Sequence, residues 1–143
     1  RGITILSKCT SIQYKDHQVN ILDTPGHGDF GGEVERILNM VDGVVLIVDA
    51  SEGVGTQTKF VLTKALGKKL RPLVVLNKMD RPTRDVDRVE GEVFDLFCKL
   101  HADDSQLEYT TLYASAREGW AATEPDQVSD SMTPLLDAII EHL

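Results

Sequence analysis

The run Val44-Val45-Leu46-Ile47-Val48-Asp49 decides the fold class. A half-wetted strand would alternate apolar and polar residues. Five apolar residues in succession, closed by an acid, instead describe a strand covered on both faces, as in a parallel sheet packed between helices. The run is also far too short to cross a bilayer. Downstream, Thr56–Lys69 has helical spacing, with Phe60, Val61, Lys64 and Lys68 sorted between a buried and a wet face. Leu73–Leu76 is the next buried strand, stopped by the polar loop Asn77–Arg84. Val86–Leu100 is a second amphipathic helix, with Val89, Val93, Leu96, Phe97 and Leu100 inward. Glu108–Ala114 reads as a strand, and Ala121–Ser131 as an acidic, loop-like insertion. Thr133-Pro134 opens a last helix, with a hydroxyl N-cap and Pro at the first helical position. That helix carries Leu135, Leu136, Ile139, Ile140 and Leu143 as its apolar residues.

Upstream, Ser11–Tyr14 and Gln18–Leu22 form a hairpin across Lys15-Asp16-His17. A polar, Gly-rich loop, Asp23 to Gly28, follows. Glu33–Leu38 then has helical spacing, with Val34, Ile37, Leu38 and Val41 on one face. Strands alternating with helices make the chain α/β, a doubly wound, mostly parallel sheet with helices on both faces. In such sheets function sits on the loops after the strand C-termini, and here those loops are the most polar segments.

Composition narrows the classes. The 143 residues fit one ordinary domain, and 41% hydrophobic content with 11 Gly excludes wholesale disorder. With 15 Lys+Arg against 23 Asp+Glu the net charge is −8, and no basic stripe is present. The chain therefore does not hold nucleic acid by bulk charge, and neither DNA nor a membrane is an expected partner. Cys9 and Cys98 form no CxxC, which points to a reducing compartment. His17, His101 and His142 share no metal-type spacing and read as surface residues. Lys68-Lys69-Arg71 reads as a solvated helix end, and Trp120 as a cover for an edge of the core. The chain opens on Arg1, without a signal or transit peptide, directly in a patterned segment, so the expectation is a piece of a longer protein.

Three loops carry chemistry. In Asn77-Lys78-Met79-Asp80, the Asp80 carboxylate can accept from both the ring N–H and the exocyclic amine of guanine. Adenine offers no such donor pair, and sites of this kind discriminate by about 10⁴–10⁵. The Asn77 amide can bridge the base edge and neighbouring loops, and the Lys78 stem can lie over the ring. The bland alternative is a strand-ending turn with a surface Lys. Ser115-Ala116-Arg117 follows the next strand at the same end of the sheet, and its short residues let a backbone N–H approach a base oxygen. Its bland alternative is a plain turn before Gly119.

Asp23-Thr24-Pro25-Gly26-His27 is the strongest signal. An Asp at a strand end suits Mg²⁺ bound through water. Gly26 lets a backbone N–H reach a terminal phosphate because no Cβ intervenes. His27 could orient an attacking water or stabilise transition-state charge. Gly28, Gly31 and Gly32 flank a loop free to change when a phosphate leaves. Thr4 could ligate Mg²⁺ and touch the terminal phosphate; alone it would be an ordinary β-branched strand residue.

Together, Arg1-Gly2-Ile3-Thr4-Ile5, Asp23 to His27, Asn77 to Pro82 and Ser115-Ala116 resemble the translational GTPases. Asp29 to Arg36 and Met132-Thr133-Pro134-Leu135 are similar to the TypA/BipA branch. The resemblance covers essentially the whole chain and implies a P-loop GTPase-type domain over residues 1–143. It implies ribosome-stimulated GTP hydrolysis in the cytoplasm, in a bacterial cytosol or an organelle stroma or matrix. Within it, Thr4 and Asp23 sit around Mg²⁺, Thr24, Pro25 and Gly26 near the γ-phosphate, and His27 is catalytic. Asn77, Lys78, Met79, Asp80, Ser115 and Ala116 surround guanine. The expected partners are GTP or GDP and, through the intact protein, the ribosome with its RNA.

Gly28 stands where relatives of that branch often carry Ala. No G-x-x-x-x-G-K-S/T occurs in the chain; at Gly67-Lys68 the pattern fails because Leu62 and Lys69 hold the other required places. In the family that loop and its strand precede the position of Arg1, and the strand lies between those ending at Asp23 and Asp49. The expectation is that these two strands keep unpaired edges or are forced together, and that the chain alone is not a competent GTPase. Two alternatives stand beside this reading: a degenerate GTPase-like interaction module without turnover, and the G domain of an elongation factor G-type protein.

Overall fold

Lys15 and Asp16 both adopt positive φ, 48° and 65°, and turn the chain back on itself in two residues. This turn joins β1 (Lys8–Tyr14) to β2 (His17–Asp23), antiparallel in register from Lys8↔Asp23 to Tyr14↔His17. The loop is one residue shorter than the sequence implied, because His17 already pairs in β2. The computed structural model describes residues 8–23, 31–127 and 129–143, with side chains described at all of these except 8, 9, 23 and 31–34. The chain forms two units, Arg1–Asp42 and Gly43–Leu143. The first holds the hairpin and α1 (Gly31–Leu38), on which Ile37 and Leu38 are buried as their spacing predicts.

The second unit is built on a four-stranded sheet of order β3 (Val44–Asp49), β4 (Pro72–Asn77), β5 (Thr110–Ser115) and β6 (Trp120–Ala122). The first three strands are parallel and β6 is antiparallel to β5. Alternate residues serve opposite faces. Leu46, Val48, Val74, Leu76, Tyr113 and Trp120 pack with Leu62 and Leu66 of α2 (Thr56–Gly67) and with Val89, Val93, Leu96 and Phe97 of α3 (Val86–Lys99). On the other face Leu73, Val75, Leu112, Ala114 and Ala121 pack with Ala138, Leu135 and Ile139 of α5 (Thr133–His142). The α/β sheet with helices on both faces is therefore present. β2 belongs to the two-stranded sheet and β3 to the four-stranded one.

The structure corrects four details. β3 is not covered on both faces throughout. It lies at the edge of its sheet, α5 sits over β4 and β6, and Ile47 is left 60% exposed. Ala121 and Ala122 are not loop but form, with Trp120, a buried edge strand paired to Ser115, Ala114 and Tyr113, from which Trp120 packs into the core. Thr133 is the first residue of α5 rather than its cap; Ser131 Oγ instead accepts the Thr133 amide at 3.3 Å. A short helix, α4 (Asp104–Leu107), is closed by a capping box between Asp103 and Gln106.

Helices α2 and α3 end alike. Leu70 N–H reaches Ala65 O at 3.1 Å and Lys69 N–H reaches Leu66 O at 3.0 Å; Ala102 and His101 repeat the pattern on Phe97 O and Cys98 O, both at 3.1 Å. These are Schellman closures with non-Gly residues in the left-handed position, Lys69 at φ 61° and His101 at φ 62°. A side chain there is strained, whereas Gly is not. His101→Gly is expected to raise stability by about 0.5–1 kcal/mol, the relieved strain exceeding the added freedom of the unfolded chain. A urea titration should show a higher midpoint at unchanged slope; a lower midpoint contradicts this.

Candidate functional site

Parallel pairing brings three strand ends to one edge of the sheet. Asp49 lies in register with Asn77, and Leu76 with Tyr113, so the loops after β3, β4 and β5 leave the sheet side by side. Backbone bonds stitch them together: Ala50 N–H donates to Asn77 O at 2.9 Å, Met79 N–H to Ala114 O at 3.0 Å, and Asp85 N–H to Ala50 O at 2.8 Å. The Met79 side chain is buried in the core below, so it anchors the loop and leaves its neighbours facing outward. Arg84 Nη1 donates to Met79 O at 2.6 Å and closes the turn from outside.

Upon this frame the residues after β4 and β5 meet. Ser115 Oγ donates to Asp80 Oδ1 at 2.8 Å and accepts the Glu118 N–H at 3.2 Å. With its acceptor side occupied, the fully buried hydroxyl has its one proton directed at Asp80. Ala116 N–H donates to Asn77 Oδ1 at 2.9 Å, so the Asn77 amide does bridge to the neighbouring loop. The turn after Ser115 closes when Gly119 N–H donates to Ser115 O at 2.8 Å, with Gly119 at φ 80°. Trp120 Nε1 in turn donates to Glu118 Oε1 at 2.9 Å.

Two carboxylates stand out electrostatically. The Ser115 hydrogen bond, above all, holds the Asp80 carboxyl below the usual carboxylate range, with Arg117 and Arg81 adding to it. Asp80 is thus ionised at neutral pH, fixed on one oxygen and open to solvent. Asp49 has the harder setting. Burial opposes its charge, but the Lys78 ammonium and the amides of Ser51 and Glu52 outweigh it and bring its pKa from 3.8 to about 2. Its Oδ1 accepts Ser51 N–H at 2.7 Å and Glu52 N–H at 3.1 Å. Its Oδ2 faces Lys78 Nζ at 2.9 Å. The strand register could have revealed Asp49, since a residue paired with Asn77 must share its end of the sheet.

Of the residues singled out by sequence, Asn77, Lys78, Met79, Asp80, Ser115 and Ala116 are brought together. Thr4, Thr24, Pro25, Gly26 and His27 lie outside the described residues, and of Asp23 only the backbone, closing β2, is described. Among the described residues no three His, Cys, Asp or Glu side chains converge as metal ligands, and no helix is long and apolar enough to cross a membrane. The arrangement after β4 and β5 presents a rigid, ionised acceptor beside an amide side chain. This suits a planar ring carrying adjacent N–H donors.

Comparison with known proteins identifies the family. The family model of the elongation factor Tu GTP binding domain matches residues 1–143. The large ribosomal subunit assembly factor BipA of Synechocystis is 59% identical over all of this chain and 24% of its own length. BipA of Bacillus subtilis is 57% identical over all of this chain and 23% of its own length. The chain thus spans about a quarter of these relatives, and the TypA/BipA resemblance read from Asp29–Arg36 is matched by them. Translation elongation factor SelB of Methanococcus maripaludis, solved with the GTP analogue GppNHp, superposes with a TM-score of 0.79 at 22% identity, over 96% of this chain and 28% of that one. That likeness concerns the fold.

The depressed Asp49 pKa has a consequence for stability. Its folded-state value lies below the unfolded one, so its contribution is complete above about pH 4 and is lost as the pH falls toward 2. Urea midpoints of the wild type and Asp49→Asn should therefore differ at pH 7 and converge below pH 4. A gap that stays constant down to pH 3 contradicts the ion pair.

Proposed function

Because the chain belongs to the elongation factor Tu GTP-binding domain family, we propose that it is the guanine-nucleotide-binding and hydrolysing domain of a ribosome-associated translational GTPase of the cytoplasm. The observation that carries this reading is the Ser115–Asp80–Asn77–Ala116 constellation, in which a carboxylate is ionised and immobilised at 2.8 Å from a buried hydroxyl. Asp80 accepts from the ring N–H and exocyclic amine of guanine. With adenine the same charge goes unanswered, at the cost of an unpaired polar group. Asn77 and Ala116 border the base edge, and the Lys78 stem lies over its face. Residues 1–143 belong here to one G domain, which hydrolyses GTP as part of the intact protein.

The phosphate end rests on the loop from Asp23 and on Thr4. A hydroxyl and a carboxylate are hard oxygen donors, which fits Mg²⁺, an ion that keeps most of its waters. Thr4 and Asp23 would hold it, and its chemistry there is neutralisation of phosphate charge. Gly26 offers its N–H to the terminal phosphate beside Thr24 and Pro25, and His27 orients the attacking water. Hydrolysis is stimulated by the ribosome, which the intact protein engages through its RNA.

Two substitutions in the full protein separate these roles. Asp80→Asn replaces an acceptor by a donor facing the ring N–H of guanine. GTP affinity should fall by about 10²–10³-fold while XTP affinity rises; an unchanged preference for GTP over XTP contradicts the base-reading role. His27→Ala should leave GTP binding within about twofold and lower ribosome-stimulated turnover by about 10²-fold or more. Normal stimulated turnover would refute its assignment.

A further inference from the structure

Asp49 carries more charge than its local turn requires. An acceptor oxygen alone satisfies the Ser51 and Glu52 amides, and an Asn side chain would supply one. A carboxylate only 14% exposed is costly to bury unless its charge is answered. The answering group is Lys78, whose side chain is 41% exposed and would otherwise be solvated. Lys78 also sits at φ 67°, a left-handed backbone that persists only where its surroundings impose it. The surroundings here are the Ala50–Asn77 and Met79–Ala114 bonds on either side. A free Lys must surrender rotamer freedom to lie along a base, and one already tethered at its ammonium has surrendered it beforehand.

Resting on the guanine-binding reading above, we propose that Asp49 is a positioning residue for nucleotide binding: its carboxylate fixes the Lys78 ammonium at the end of β3 and so holds the Lys78 stem ready against the face of the base. Asp49 touches no nucleotide atom in this scheme and acts through Lys78 alone. Its loss slows nothing in base selection, which belongs to Asp80, but shortens the residence of every guanine nucleotide.

The test uses the full protein with Asp49→Asn, Lys78→Met and the double variant, and a fluorescent GDP analogue as probe. Asp49→Asn keeps the acceptor for Ser51 and Glu52, and Lys78→Met keeps the stem while removing the ammonium. Asp49→Asn is expected to weaken GDP about tenfold, mainly through faster dissociation, with the GTP-over-XTP preference retained. In the Lys78→Met background the same change should cost less than about twofold. Wild-type affinity in Asp49→Asn overturns the proposal, as does a loss of equal size in both backgrounds, which would place the effect in the turn. Should Asp49→Asn fail to fold, wild-type affinity in Lys78→Met overturns it equally. Failure of the guanine reading looks different: the unsubstituted protein would bind no guanine nucleotide, and that outcome overturns both.

Discussion

The parallel register of β3, β4 and β5 is the constraint on which the rest depends. Parallel strands must all end at the same edge, and Asp49↔Asn77 and Leu76↔Tyr113 set those ends level to within a residue. Had one strand slipped by two residues, Ser115 Oγ would no longer reach Asp80 at 2.8 Å, nor Ala116 N–H reach Asn77 at 2.9 Å. The register itself is secured by burial. Leu73, Val74, Val75 and Leu76 are each at most 2% exposed, so a one-residue shift would exchange two packed faces at once.

On that frame two carboxylates divide the work by environment. Asp80 is partly exposed, and the Ser115 hydroxyl holds one of its oxygens, which leaves the carboxylate able to accept further donors. Asp49 is enclosed, with two amides on one oxygen and an ammonium beside the other. The first is suited to recognition and the second to support. The Arg88 guanidinium, which contacts Asp85, Glu92 and the Ser51 carbonyl, braces the same loops from α3.

Much of this was legible in the chain. The apolar spacing of Val89, Val93, Leu96 and Phe97 fixes the buried face of α3, because a 3.6-residue period depends only on neighbours. Asn77-Lys78-Met79-Asp80 and Ser115-Ala116 were readable as one site because both follow buried strands. What escaped was nonlocal. Trp120-Ala121-Ala122 is too short to show a period and becomes a strand only by pairing with β5. The exposure of Ile47 depends on where α5 lies, not on its own neighbours. The Asp49–Lys78 pair spans 29 positions of sequence, and nothing local to Asp49 marks it as more than a strand end.

In the proposed function the loops after β4 and β5 read guanine, and equilibrium competition against a labelled guanine nucleotide on the full protein tests this. GTP and GDP are expected to displace the label at comparable micromolar concentrations, while ATP at about a thousandfold excess does not. Displacement by ATP as readily as by GTP would contradict guanine recognition by these loops.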